Sequence, residues 1–147
     1  MALRHTVKLK KYQDINIEKV AAAAITPGHL VELTSANKVQ AHSGDGVGAF
    51  PKMFALEDEL QGKEIDDAYA ADDPVQVWVC QPGEVVYALL KNGETAVVGS
   101  PLDSAGDGTL AVTTTASAVI VGIALEALDL SGSSGEETTY RIPVMIV

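Results

Sequence analysis

The sequence predicts an all-β sandwich or barrel with little helix, preceded by an extended N-terminal arm, and three observations carry that reading. From His29 onward short apolar runs recur at intervals of roughly ten residues. Each run is bounded by turn chemistry, including Pro27-Gly28, Asn37, Gly44-Asp45-Gly46, Pro82-Gly83, Asn92-Gly93, Gly106-Asp107-Gly108 and Gly132-Ser133-Ser134-Gly135. Helical spacing of apolar residues is confined to 56–71, where Ile65, Ala68 and Tyr69 fit one turn and Gly62 argues against a long helix.

Taken in order, residues 1–20 hold no Gly or Pro, and their apolar positions (Leu3, Val7, Leu9, Tyr12, Ile15, Ile17) are scattered. Such a segment has little to fold against by itself. It is therefore expected to be an arm, residues 1–26, that becomes ordered on a partner, with the body occupying 27–147. Strands are expected at 29–33, 38–41, 53–56, 75–80, 85–90, 95–98, 110–114, 119–125 and 140–147. Asn92-Gly93 gives the strongest hairpin expectation, joining 85–90 to 95–98, because a type I′ turn favours that dipeptide. The last strand is apolar to its end, which expects it inside the sheet or at a subunit contact, since an exposed apolar edge invites aggregation. The stretch from Gly28 to Ala55 is shadowed by that from Gly99 to Ala124, and Pro-Gly recurs at Pro27 and Pro82. Reuse of turn residues and an ancestral duplication both account for this.

The 147 residues are 47% hydrophobic and 20% charged, which suits one folded domain with an appendage. No apolar run approaches the ~20 residues that span a bilayer, and no apolar leader is expected at the start. Net charge is −10, unevenly placed. Through Val20 five bases oppose two acids, leaving five bases and eighteen acids for the rest. A basic arm thus precedes an acidic body that would repel nucleic acid and anionic membranes.

No set of residues announces catalysis or a cofactor. Cys80 is the single cysteine, so neither an intrachain disulfide nor a thiolate cluster can form. His5, His29 and His42 show no paired-ligand spacing, and His42 reads as a solvated loop residue. The loop Ser43-Gly44-Asp45-Gly46-Val47-Gly48 lacks the ending of a phosphate loop. Asp103, Asp107 and Asp129 read as turn caps rather than calcium ligands. Glu57-Asp58-Glu59, Asp66-Asp67 and Asp72-Asp73 read as solvated charge rather than as glycosidase carboxylates. In Val75-Gln76-Val77-Trp78-Val79-Cys80 both faces carry apolar residues, so the strand is expected to be covered on both sides and Cys80 to be an inert buried thiol. Trp78 is expected in the core or, with Tyr140 and Ile142, at a subunit interface.

The order FALEDELQGKEIDDAYAADDPVQVWV, PGEVVYALLKNGE, VGSPLDSAGDGTL, VGIALEALDLSG and RIPVMIV, behind a basic arm, resembles the head decoration (capsid cement) proteins of tailed bacteriophages. The resemblance runs from about Pro27 to Val147 and rests on order and spacing rather than on one motif. It implies a β-barrel or β-tulip body with no enzymatic activity and no cofactor, made in the host cytoplasm and carried on the outer surface of the virion head. It further implies a homotrimer at three-fold or quasi-three-fold sites whose partner is the major capsid protein, with no nucleic acid and no membrane bound. The arm does not match by motif, so its contact residues are nominated from chemistry alone. Arg4, Lys8, Lys10, Lys11 and Tyr12 are expected on acidic or polar capsid surface, and Leu3, Val7, Leu9 and Ile15 in apolar grooves. Another virion part, a tail tube or adaptor, and a carbohydrate-binding β-module using Trp78 and the acidic loops are the alternatives.

Overall fold

The computed structural model describes residues 4–47, 51–132 and 140–147. Alternation along one strand sets the architecture. In Pro74–Val79, Val75 and Val77 point into one apolar cluster, while Trp78, followed by Cys80 just past the strand, points into another. A strand buried on both faces must lie between two bodies, and here both bodies come from the same chain.

The first is a closed five-stranded barrel of β2 (Asn16–Ala21), β3 (Leu30–Leu33), β4 (Lys38–Ala41), β5 (Met53–Ala55) and β6 (Pro74–Val79), in the order β2-β4-β3-β5-β6. Its interior holds Ala21, Ile25, Val31, Val39, Met53, Ala55, Tyr69, Val75 and Val77. The second is a six-stranded sheet of β1 (Lys8–Lys10), β7 (Val85–Leu89), β9 (Pro101–Ser104), β10 (Leu110–Val112), β11 (Gly122–Ala124) and β13 (Arg141–Ile146), in the order β1-β7-β13-β11-β9-β10. A ribbon of β8 (Thr95–Ala96) and β12 (Leu128–Asp129) accompanies it. Between them Leu30, Phe54 and Trp78 on the outer wall of the barrel share one core with Val86, Ala88, Leu102, Ile142, Val144 and Ile146 of the sheet. The only helix among the described residues is the single 3-10 turn Glu59–Gln61, stopped by Gly62 at φ 71°.

The all-β expectation holds, and so does the interior place of the last strand, which lies between β7 and β11. The arm expectation needs correction. The segment before Pro27 is extended, but it builds the fold rather than trailing from it. Residues 16–20 pair along β6 and β2 runs parallel to β4 at Val20 and Ala21, so without β2 the barrel would expose two open edges. Lys8 and Lys10 pair with β7, and Val7 is fully buried beneath them. The hairpin expectation also needs correction. Gly93 has the positive φ of a turn, but β7 pairs with β1 and β13 while β8 pairs with β12, so the turn separates strands rather than joining a pair.

The internal echo is a repeat of topology. In the barrel β3 pairs with β4 and β5, β5 with β6, and β6 with β2; in the sheet β9 pairs with β10 and β11, β11 with β13, and β13 with β7. The parallel contact of Ala21 with Val39 is answered by a parallel bridge from Leu90 to Leu110. Individual hydrogen bonds recur as well. Gly28 N–H donates to Ala55 C=O and Gly99 N–H to Ala124 C=O, both at 2.8 Å. Thr26 N–H donates to His29 Nδ1 at 3.1 Å and Val97 N–H to Ser100 Oγ at 3.0 Å. Gly28 and Gly99 hold φ of 95° and 91°, which a side chain would strain. Pro27 therefore corresponds to Val98, and its likeness to Pro82 is a coincidence of turn chemistry.

Candidate interaction surface

The crossing from β1 to β2 is held by a buried carboxylate. Glu84, fully buried, accepts the backbone N–H groups of Tyr12 at 2.9 Å, Gln13 at 3.2 Å and Gln81 at 2.6 Å. Three donors converging on one carboxylate fix the backbone of residues 12–13 against the 81–84 turn and leave their side chains outside. Two glutamates at equivalent places in the repeat hold the strand before it: Glu57 accepts the N–H of Val7 at 3.0 Å, and Glu126 pairs with the Arg4 guanidinium.

This anchoring sorts the nominated contact residues. Val7 is buried and Leu9 packs on the core, so neither can fill a groove in a partner. Arg4 is engaged by Glu126 and lies 5.5 Å from the Tyr87 ring centre, and Lys8 by Asp14 and Asn16, 5.7 Å from the Trp78 ring. The ammonium groups of Lys11 and Lys8 hold the Asp14 carboxyl below the usual carboxylate range. Leu3 lies outside the described residues. Lys10, Lys11, Tyr12 and Ile15 remain outward, with the Lys10 ammonium 5.8 Å from the Tyr12 ring and Tyr12 66% exposed. They form a small basic and aromatic outcrop on a chain of net charge −10.

Of the three residues expected at a subunit interface, Trp78 and Ile142 are fully buried within one chain and only Tyr140 is exposed. Trp78 does anchor an interface, but it is the one between the two units of the chain. For the same reason it cannot serve as a stacking platform for a sugar ring. Cys80 is buried as expected, and burial pushes its thiol up out of the reactive range. Asp107 and Asp129 cap turns, accepting the N–H groups of Thr109 and Ser131 at 3.0 and 2.9 Å.

His42 departs from its expected loop role. It is buried, with Nδ1 2.7 Å from Ser104 Oγ and Nε2 3.6 Å from Glu32 Oε2. This orders a serine, a histidine and an acid as hydrolases do, but Ser104 has no exposed surface and its Oγ also accepts from Gly106 N–H at 3.3 Å. With no path from solvent to the hydroxyl, the set works as a polar weld between the barrel and β9. Sequence spacing could not reveal it, since His42 and Ser104 lie 62 residues apart. Among the described residues no three His, Cys, Asp or Glu side chains gather as a metal site requires.

No family model matches the chain, and no curated protein matches it in sequence. Among solved structures it is similar to the crystal structure of the head fiber gp8.5 N base in bacteriophage phi29, with a TM-score of 0.60 and 14% identity. The likeness covers 92% of this chain and 95% of that one, so the two share their fold across nearly their whole lengths.

Proposed function

We propose that this protein is a structural component of a tailed-phage head, a decoration or cement protein that binds the outer surface of the expanded shell as a homotrimer and stabilises it. The observation that supports this reading most is the fold shared, end to end, with a phage head fibre base, reached independently of the sequence resemblance to head decoration proteins. The outward set Lys10, Lys11, Tyr12 and Ile15 supplies a contact for an acidic or polar shell surface, and the rigid crossing on Glu84 presents it without an ordering cost. Several such contacts made across neighbouring shell subunits multiply through effective concentration, so modest single affinities suffice. The buried position of Trp78 disfavours the carbohydrate-binding alternative.

Purified protein mixed with matched undecorated heads, imaged by electron microscopy, tests this. Regular density on the outside of expanded heads is the expected result. Heads that stay bare, with the protein found on tails or free in solution, would sink the proposal.

A further inference from the structure

The repeat exposes an unfilled seat. In the first unit Leu30, Phe54 and Trp78 stand directly opposite one another across β3, β5 and β6, and all three are fully buried beneath the second unit. The corresponding row in the second unit is Pro101, Ile123 and Met145 across β9, β11 and β13, in the same register, continued by Val85. This row is only partly covered, and Met145 is 37% exposed. The loop leading into it tells the same story. Pro27 is buried, with its carbonyl held by Arg141, whereas the counterpart Val98 and its neighbour Val97 are 68% and 59% exposed.

We propose that this row, with Val97 and Val98 beside its Pro101 end, is the self-association face of the protein, meeting the same row of a second copy about the axis of a homo-oligomer. The occupant follows from the repeat itself, because the corresponding face one unit earlier seats a sheet of the same pairing order. Packing of the row onto a neighbour in the way the first unit packs onto the second has no seat to offer. The surface that receives the first unit, around Tyr87, Leu89 and Arg141, is already covered within each chain. Its counterpart on the first unit is largely polar: Glu18 accepts a hydrogen bond from Gln76 at 2.5 Å and Asn16 is exposed, with Val20 and Pro74 at one end. The row is left to meet its own image, as residues near a symmetry axis do. The inference rests on the self-association in the proposed function and supplies its surface.

Sedimentation of the full chain across micromolar concentrations tests it. The wild type is expected to associate, Met145→Leu to behave like it, and Met145→Asp to weaken association by roughly tenfold or more, as loss of a central apolar anchor does. Because Met145 is partly exposed, Met145→Asp should keep the native circular dichroism, and Met145→Cys gives a readout independent of affinity. Under mild oxidation Met145→Cys should form chain-to-chain disulfides, while Leu60→Cys, on the exposed turn of the first unit, should not. A monomeric wild type, unchanged association of Met145→Asp, or equal cross-linking of the two cysteine variants overturns the face. Monomers that still decorate heads would overturn the face and the trimer, and leave the binding to heads standing.

Discussion

At the scale of single residues, the join between the two units concentrates on Arg141. Buried at the head of β13, its Nε and Nη2 donate to Pro27 C=O at 3.1 and 3.0 Å, Nη2 also to Ile65 C=O at 2.6 Å, and Nη1 to Asp66 at 2.7 Å. A planar guanidinium can serve these acceptors together, and an ammonium cannot. Arg141→Ala leaves the buried carbonyls of Pro27 and Ile65 unpaired and is expected to cost about 2–4 kcal/mol in urea unfolding, with Arg141→Lys recovering at most half. Next to it, His29 gives the fold an acid limit. Burial, with a smaller opposing effect of Asp107 and a further lowering by Arg141, pushes its imidazole down to about 4, and its Nδ1 lone pair is committed to Thr26 N–H. Between pH 6.5 and 4 the unfolded chain takes up a proton that the folded chain refuses. The contribution is therefore whole above pH 6.5 and declines by up to about 3 kcal/mol as pH falls to 4. His29→Ser, which installs the residue found at the repeat counterpart Ser100, should flatten that part of the stability–pH curve measured by chemical denaturation.

At the scale of elements, the strands that were legible in the sequence and those that were not differ in a physical way. Segments such as β6 and β13 announce themselves because both of their faces are buried and their runs are nearly continuous in apolar residues. β2 stayed hidden because one of its inward positions is Lys19, only half-buried, so the period-two pattern of Ile17 and Ala21 is broken in the middle. β9 stayed hidden because Pro101, Asp103 and Ser104 read as turn residues, although Asp103 and Ser104 are buried. Neither the Glu84 anchor nor the His42–Ser104 weld was legible, because long-range pairing of polar groups leaves no periodic trace. The consequence for the N-terminal segment is measurable. Deleting residues 1–11 removes buried Val7 and strand β1 and should cost about 2–4 kcal/mol of stability. Lys10→Glu combined with Lys11→Glu should leave the melting temperature nearly unchanged and still reduce head binding. A second prediction belongs to β11, where a Cβ on Gly122 would fall 2.4 Å from Val144 Cγ1 and 2.6 Å from Met145 C=O. Gly122→Ala must push β11 away from β13 and is expected to destabilise by about 1–3 kcal/mol by thermal melting.

At the scale of the whole molecule, two units of one topology could behave as two folding domains or as one. The distribution of the core decides between these. The interior of the barrel is a separate apolar cluster, but its outer wall, Leu30, Phe54, Trp78 and Cys80, belongs to the same cluster as the interior of the second sheet. Splitting the units would expose three large side chains that are now fully buried, at about 1.5–3 kcal/mol each, and would also break the Arg141 contacts and the His42–Ser104 weld. That loss is comparable to the whole stability of a domain of this size, so an intermediate with one unit folded should not accumulate. Trp78, the single tryptophan, lies at the join and reports on it directly. Its fluorescence shift in urea should coincide with the loss of far-ultraviolet circular dichroism, giving one midpoint by both probes. A fluorescence change that precedes the loss of strand signal would mean that the units part before they unfold and that the shared core does not bind them into one cooperative body.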